Sequence, residues 1–147
     1  MSYIPVAEEQ RIIAPQMSET SLDRNLSVLL VEDSAVLAER LSEMLASVPG
    51  MNLTAVVDNE SAAIKIVGDG AIDVILLDLH LRQGTGFGVL RAITKQIKRP
   101  VVVVLTNYDL AEYRRAATSL GAQYFLDKGR DMEQLPDVLD TIRAGIS

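Results

Sequence analysis

Five short apolar runs punctuate the chain, at residues 26–32 (LSVLLVE), 53–57 (LTAVV), 72–77 (IDVILL), 101–105 (VVVVL) and 122–126 (AQYFL). They are mostly aliphatic or β-branched, strand-sized, and bounded by polar, Gly or Pro residues. A strand that is apolar on both faces must be covered on both faces, and that is the situation of a buried parallel sheet. This constraint excludes most architectures before any single residue is considered.

The segments between the runs carry a different period. Leu37, Leu41, Met44 or Leu45, and Val48 recur every three or four residues, with Ser34 placed to cap the helix and Pro49-Gly50 to close it. Phe87, Leu90, Ile93 and Ile97 repeat the pattern, with Pro100 before the next strand. Leu110, Tyr113, Ala117 and Leu120 form another stripe, ended by Gly121. Leu135, Val138, Leu139 and Ile142 make the last one. The weakest is 59–68, where Ala63, Ile66 and Val67 alone suggest a face. The alternation predicts an α/β fold, (βα)5 from Leu26 to Ile146, with helices on both sides of a five-stranded parallel sheet.

Composition removes several function classes. The net charge of −6 is the opposite of a nucleic-acid binder's basic footprint. No cysteine is present, so disulfide scaffolds, thiol catalysis and cysteine zinc sites are excluded. No apolar run approaches the length of a membrane span, and residues 1–25, interrupted by Pro5 and Pro15, lack the pattern of a signal peptide. The expectation is a cytoplasmic protein with no nucleic-acid or membrane partner. Residues 1–25 read as an extension, either an unstructured arm or partly helical over Ala7–Ile13, with Ile12, Ile13, Met17 and Leu22 available for packing. Residues 26–147 read as the domain, with no second domain expected after it.

In an open parallel sheet, ligands sit outside the carboxyl ends of the strands, where strand order reverses. Here those ends carry charge: Glu32-Asp33 after the first strand, Asp78 after the third, Thr106 after the fourth, and Asp127-Lys128 after the fifth. Each alone has an ordinary explanation. Asp33 suits a helix N-cap, Thr106 a turn, and Asp127 and Lys128 a solvated rim. Glu32 and Asp78 are harder to explain, because acids directly after apolar strands need partners. Clustered carboxylates repel unless a cation intervenes, and hard oxygen ligands around an open position suit Mg²⁺ with a phosphate oxygen. Asp78 is then a candidate nucleophile, since a carboxylate can form an acyl phosphate.

The motifs VLLVEDS, DVILLDLHL, VVVLTN and GAQYFLDK, in this order, resemble those of response-regulator receiver domains, the phosphoacceptor modules of two-component signalling. The resemblance spans roughly residues 26–146 and implies a flavodoxin-like sheet of order 2-1-3-4-5. It implies Asp78 as phosphoacceptor, with Thr106 and Lys128 as the other catalytic residues. Mg²⁺ would be held by Glu32, Asp33, Asp78 and the His80 backbone carbonyl, and Thr106 and Phe125 would form the switch pair. It further implies a histidine kinase or histidine phosphotransfer protein as phosphodonor, an output protein reached by contact, and no turnover substrate. Monomer and homodimer are both compatible with it. Gly86, eight residues after Asp78, stands where the family keeps a glycine.

Three positions depart from the family pattern: Arg82 and Gly129 where prolines are usual, and Asn107 where a small residue is usual. Gly129 leaves the loop after the fifth strand open to a looser or different route, and Asn107 stands where it would crowd the mouth of the site. His80 is read as an exposed loop side chain; His80 and Tyr108 stand two residues past Asp78 and Thr106. A gate over the path of attacking water is the functional alternative. Arg114 and Arg115 are read as a solvated face.

Three rival functions fit the sequence less well. A haloacid-dehalogenase-like phosphatase needs a second acid two residues after the nucleophile, where this chain has His80. A dinucleotide site would use Gly84 and Gly86, but the third glycine falls at Val89. A phosphorylation-independent interaction module has little support when all the key residues are present.

Overall fold

A computed structural model of the chain describes residues 25–146. The expectations for residues 1–24, including the helical turn and its packing, fall outside the described residues. The strands are β1 (Leu26–Val31), β2 (Met51–Val57), β3 (Val74–Asp78), β4 (Val101–Thr106) and β5 (Tyr124–Asp127). The helices are α1 (Ala35–Ala46), α2 (Glu60–Gly68), α3 (Gly86–Ile93), α4 (Ala111–Ser119) and α5 (Leu135–Gly145). A single 3₁₀ turn, Met132–Gln134, leads into α5.

All strand pairs are parallel, and the sheet order is β2-β1-β3-β4-β5, as the family resemblance implies. The pleat divides the core in two. Leu29, Val31, Ile75, Leu77, Val102 and Val104 face α2, α3 and α4, packing on Ala63, Val67, Val89, Leu90, Ile93 and Ala117. Val28, Leu30, Val74, Leu76, Val103 and Leu105 face α1 and α5, packing on Leu41, Leu45, Leu135, Leu139 and Ile142. Every residue of β3 is buried, which is what a central strand covered on both faces requires.

β2 departs from the reading of strands apolar on both faces. It starts two residues earlier than its apolar run, and its even-numbered residues, Asn52, Thr54 and Val56, are exposed. The cause is its place at the sheet edge, where cover is partial and changes side along the strand: Met51 and Leu53 pack in the α1–α5 layer, Ala55 and Val57 in the α2–α4 layer. A register shift between Val28 and Leu29 places Thr54 as the extra residue.

The caps are sequence-local. Ser34 Oγ accepts the Leu37 N–H at the start of α1, so Ser34 caps this helix and Asp33 does not. Asn59 caps α2 through the Ala62 N–H, and Thr85 caps α3 through the Gly88 N–H. These caps fix where each helix begins, and therefore how far each strand end projects into the rim.

Candidate functional site

Parallel register aligns the strand ends. Val31 pairs with Leu77, Asp78 with Leu105, and Thr106 with Asp127. One step past these pairs the chain leaves the sheet, and Glu32, Asp78, Thr106 and Lys128 meet at a single edge.

Lys128 is the hub. Its ammonium donates to Asp78 Oδ2 at 2.9 Å and lies 2.6 Å from Glu32 Oε1. The side chains of Glu32, Asp78 and Lys128 are only 1%, 6% and 6% exposed, so these charges balance one another away from water. The contact with Glu32 is short but poorly directed, and Glu32 Oε1 is left without a hydrogen bond of good angle. The other Glu32 oxygen accepts the Ser34 N–H at 3.0 Å. Burial pushes the Glu32 carboxyl above its ordinary value, with Lys128 acting against the rise. Burial also acts to lower Lys128, but attraction to the two carboxylates outweighs it and holds the ammonium above its ordinary value.

Asp78 Oδ1 accepts the backbone N–H of His80 at 3.0 Å. Each of its oxygens therefore has one partner and keeps a free lone pair. Carboxylate oxygens of Glu32, Asp33 and Asp78 lie within 4.8 Å of one another. Two of these acids are buried, all donors are oxygen, and one oxygen is badly satisfied. Such a set fits a hard divalent cation such as Mg²⁺.

Thr106 is fully buried. Its Oγ1 accepts the Tyr108 N–H at 3.0 Å, and its backbone carbonyl accepts the Lys128 N–H at 2.8 Å. Phe125 packs in the core layer under α2–α4, while Tyr124 packs in the opposite layer, as strand alternation predicts.

The glycines at the mouth have specific reasons. A Cβ on Gly86 would overlap the Asp78 carbonyl oxygen and stand 2.8 Å from Leu79 Cα. The GTGFG run therefore does not build a phosphate loop; Gly86 lets α3 start directly against the end of β3. Arg82 donates to the Asp33 carbonyl at 3.4 Å and lines an open cavity of about 620 Å³ with Glu32, Asp33, Asp58 and Asn59. The loop at Gly129 is routed by Asp127, whose Oδ1 accepts the Gly129 and Arg130 N–H groups at 2.7 and 3.0 Å. Asp127 thus serves the turn after β5, where a solvated side chain was expected.

His80 is exposed, as read, but not isolated. Its ring lies 4.5 Å from that of Tyr108 and 5.4 Å from that of Tyr113, and Tyr113 meets Phe87 edge-on. Arg114 and Arg115 are exposed, as read, but Arg114 is also engaged: its guanidinium covers the Phe125 ring at 4.5 Å and pairs with Asp109 at 2.9 Å. Asp109 also binds Arg130 at 2.7 Å, and Arg130 binds Asp131 at 3.1 Å. Spacing gave no sign of this network, because its members come from two loops and a helix. The adjacency of Arg130 and Asp131 was the only local clue.

Comparison with known proteins agrees with this geometry. The family model described as "Response regulator receiver domain" matches residues 28–140. The chain is 30% identical over 118 residues to the nitrate/nitrite response regulator protein NarP of Escherichia coli, covering 80% of this chain and 54% of that one. It is 28% identical over 115 residues to the sensory transduction protein LytT of Enterococcus faecalis, covering 78% of this chain and 47% of that one. Among solved structures, the response regulator domain of Thermotoga maritima CheB superposes with a TM-score of 0.72 at 25% identity, over 82% of this chain and 96% of that one. The chain thus spans about half the length of these curated relatives. Among the described residues, no helix is long and apolar enough to cross a membrane.

Proposed function

Because the chain belongs to the response regulator receiver domain family, we propose that it accepts a phosphoryl group on Asp78 from a phosphohistidine of a partner protein and switches a protein-contact surface. The observation that carries this reading is the buried Glu32–Lys128–Asp78 triad beside Asp33. A carboxylate so placed is desolvated, aligned, and set next to a fixed positive charge.

Phosphoryl transfer asks for alignment and for neutralisation of charge on the equatorial oxygens. An Asp78 oxygen attacks phosphorus while the bond from phosphorus to the imidazole nitrogen breaks. The donor ring carries a proton on its other nitrogen, so it leaves as neutral imidazole and an acyl phosphate remains on Asp78. Lys128 is already within 2.9 Å of the nucleophile's other oxygen and supplies its charge to a phosphoryl oxygen. Thr106 accepts from Tyr108, so its own proton is free to be donated into the site. Asp33, Asp78 and the His80 backbone carbonyl, with Glu32 behind them, are the groups that would hold Mg²⁺. The bound ion would neutralise phosphoryl charge during transfer.

Displacement of Thr106 toward the phosphoryl group would vacate space for Phe125, and Arg114 would have to follow the ring it covers. The output is a shift between two packings of the α4–β5–α5 face. A histidine kinase or histidine phosphotransfer protein is the proposed donor, and a separate output protein the proposed receiver. No turnover substrate is proposed. The phosphatase alternative lacks its second acid, since His80 occupies that position.

Incubation with acetyl phosphate and Mg²⁺ should add one acid- and base-labile phosphate per chain. Asp78→Asn should abolish it. Equal labelling of the Asn variant would end the assignment.

A further inference from the structure

Glu60, the first residue of α2, is 18 residues upstream of Asp78 in sequence, yet a continuous set of contacts joins them. The Glu60 N–H donates to the Gln83 carbonyl at 3.1 Å. Its carboxylate reaches across the same loop, and Oε1 accepts the Thr85 N–H at 2.8 Å. Thr85 pairs with His80 in an antiparallel bridge. The His80 N–H in turn donates to Asp78 Oδ1 at 3.0 Å. The Gly86 N–H closes the loop base on the Leu79 carbonyl at 3.0 Å.

Two glycines exist to seat this carboxylate. A Cβ on Gly84 or on Gly88 would overlap the Glu60 side chain, and Gly84 also has φ of +82°. The carboxylate therefore lies flat over the first turn of α3, where its charge is favoured by the helix dipole. It holds the loop from outside, while His80 is held against Asp78 from inside.

We propose that Glu60 is a positioning residue for the acidic site. It holds Thr85, and through Thr85 it fixes the His80 backbone that orients the Asp78 carboxylate. The inference rests on the reading of Asp78 and its neighbours as a Mg²⁺ and phosphoacceptor site. Without the Glu60 carboxylate the Thr85 N–H loses its acceptor, and that part of the loop keeps its contacts at Gln83, Gly86 and Arg82. The His80 N–H then loses its fixed aim, and Asp78 becomes free to rotate about its side chain.

The test uses the full chain and Mg²⁺ alone as probe. Two readouts are taken: the His80 amide proton shift without metal, and the Mg²⁺ dissociation constant by calorimetric titration. Glu60→Ala should move the His80 amide upfield and weaken Mg²⁺ binding about five-fold, somewhat less than the 10–100-fold typical of groups in direct contact with a ligand. Glu60→Gln keeps the Oε1 acceptor and should stay near wild type on both. Asp78→Asn is run alongside. A folded Glu60→Ala protein with an unchanged His80 amide and unchanged Mg²⁺ affinity overturns the proposal, even if its melting temperature drops. If Glu60→Ala does not fold, Glu60→Asp, too short to reach Thr85, takes its place with the same expectation. Wild type that binds no Mg²⁺ overturns the site reading and this inference together. Wild-type binding lost in Asp78→Asn, with binding and the His80 amide both unchanged in Glu60→Ala, overturns this one alone.

Discussion

Replacing Lys128 by Met removes the cation from between two buried carboxylates while keeping most of the side-chain volume. Breaking a buried ion pair in this way can cost about 3–5 kcal/mol. The site has an escape, however: Glu32 can take up a proton. Its carboxyl is already pushed upward from its ordinary value of 4.5 by burial, and the loss of Lys128 pushes it further. Keeping it neutral costs about 1.4 kcal/mol for each pH unit above that ordinary value. The Glu32 share of the loss is therefore capped at about 3.4 kcal/mol at pH 7 and about 1.4 kcal/mol at pH 5.5, and Asp78, buried and without its cation, adds to it at both. Lys128 adds no slope of its own in this window. With its folded value raised, the stability from its ion pairs is complete below 10.5 and is lost only as pH rises through the raised value. Urea unfolding of both proteins at the two pH values measures the difference. A Lys128→Met loss that is the same at pH 5.5 and pH 7, or below about 1 kcal/mol at both, would refute the picture of two desolvated acids sharing one cation. Mg²⁺ should stabilise the variant more than the wild type, because it supplies the missing charge.

His80→Ala uncovers the Tyr108 ring beside the site, and the acyl phosphate on Asp78 should hydrolyse several-fold faster by radiolabel decay; an unchanged half-life would retire the gate. Gly86→Ala should destabilise by about 2–3 kcal/mol, because the added carbon meets backbone that cannot retreat. Gly88→Ala should cost less in chemical unfolding, since the Glu60 carboxylate it meets is the far end of a flexible chain. Asp131 is held below its ordinary carboxylate range, first by Arg130 and then by the Asp127 N–H. Its contribution is full above 3.8 and lost as pH falls through its depressed folded value. Asp131→Asn should accordingly lower the melting temperature at pH 6 and have little effect near pH 2.

Much of this architecture is legible along the chain because burial leaves a local trace. The run from Val74 to Leu77 is uninterruptedly apolar since both its faces are covered, and Asp78 stands out because nothing apolar explains it. Ser34 and Gly121 announce helix ends by chemistry that acts within a few residues. The extent of β2 is not legible because an edge strand is only partly covered, so exposed Asn52 breaks the run that Met51 begins. The Glu60–Thr85 contact leaves only an indirect trace. Its partners are 25 residues apart, one of them is a backbone N–H, and the sign of it is two missing side chains, at Gly84 and Gly88. The contacts of Arg114 are hidden for a related reason. An arginine on an exposed helix face looks solvated until the fold brings Phe125 beneath it and Asp109 alongside.

The Thr106 hydroxyl is tied to the backbone of Tyr108, and the next residue, Asp109, grips two arginines from different elements. A sub-ångström tug on one buried oxygen would therefore be transmitted to a carboxylate at the surface, and from there to two guanidinium groups. What a partner would sense is a rearranged pattern of positive charge, a signal far larger than the motion that starts it.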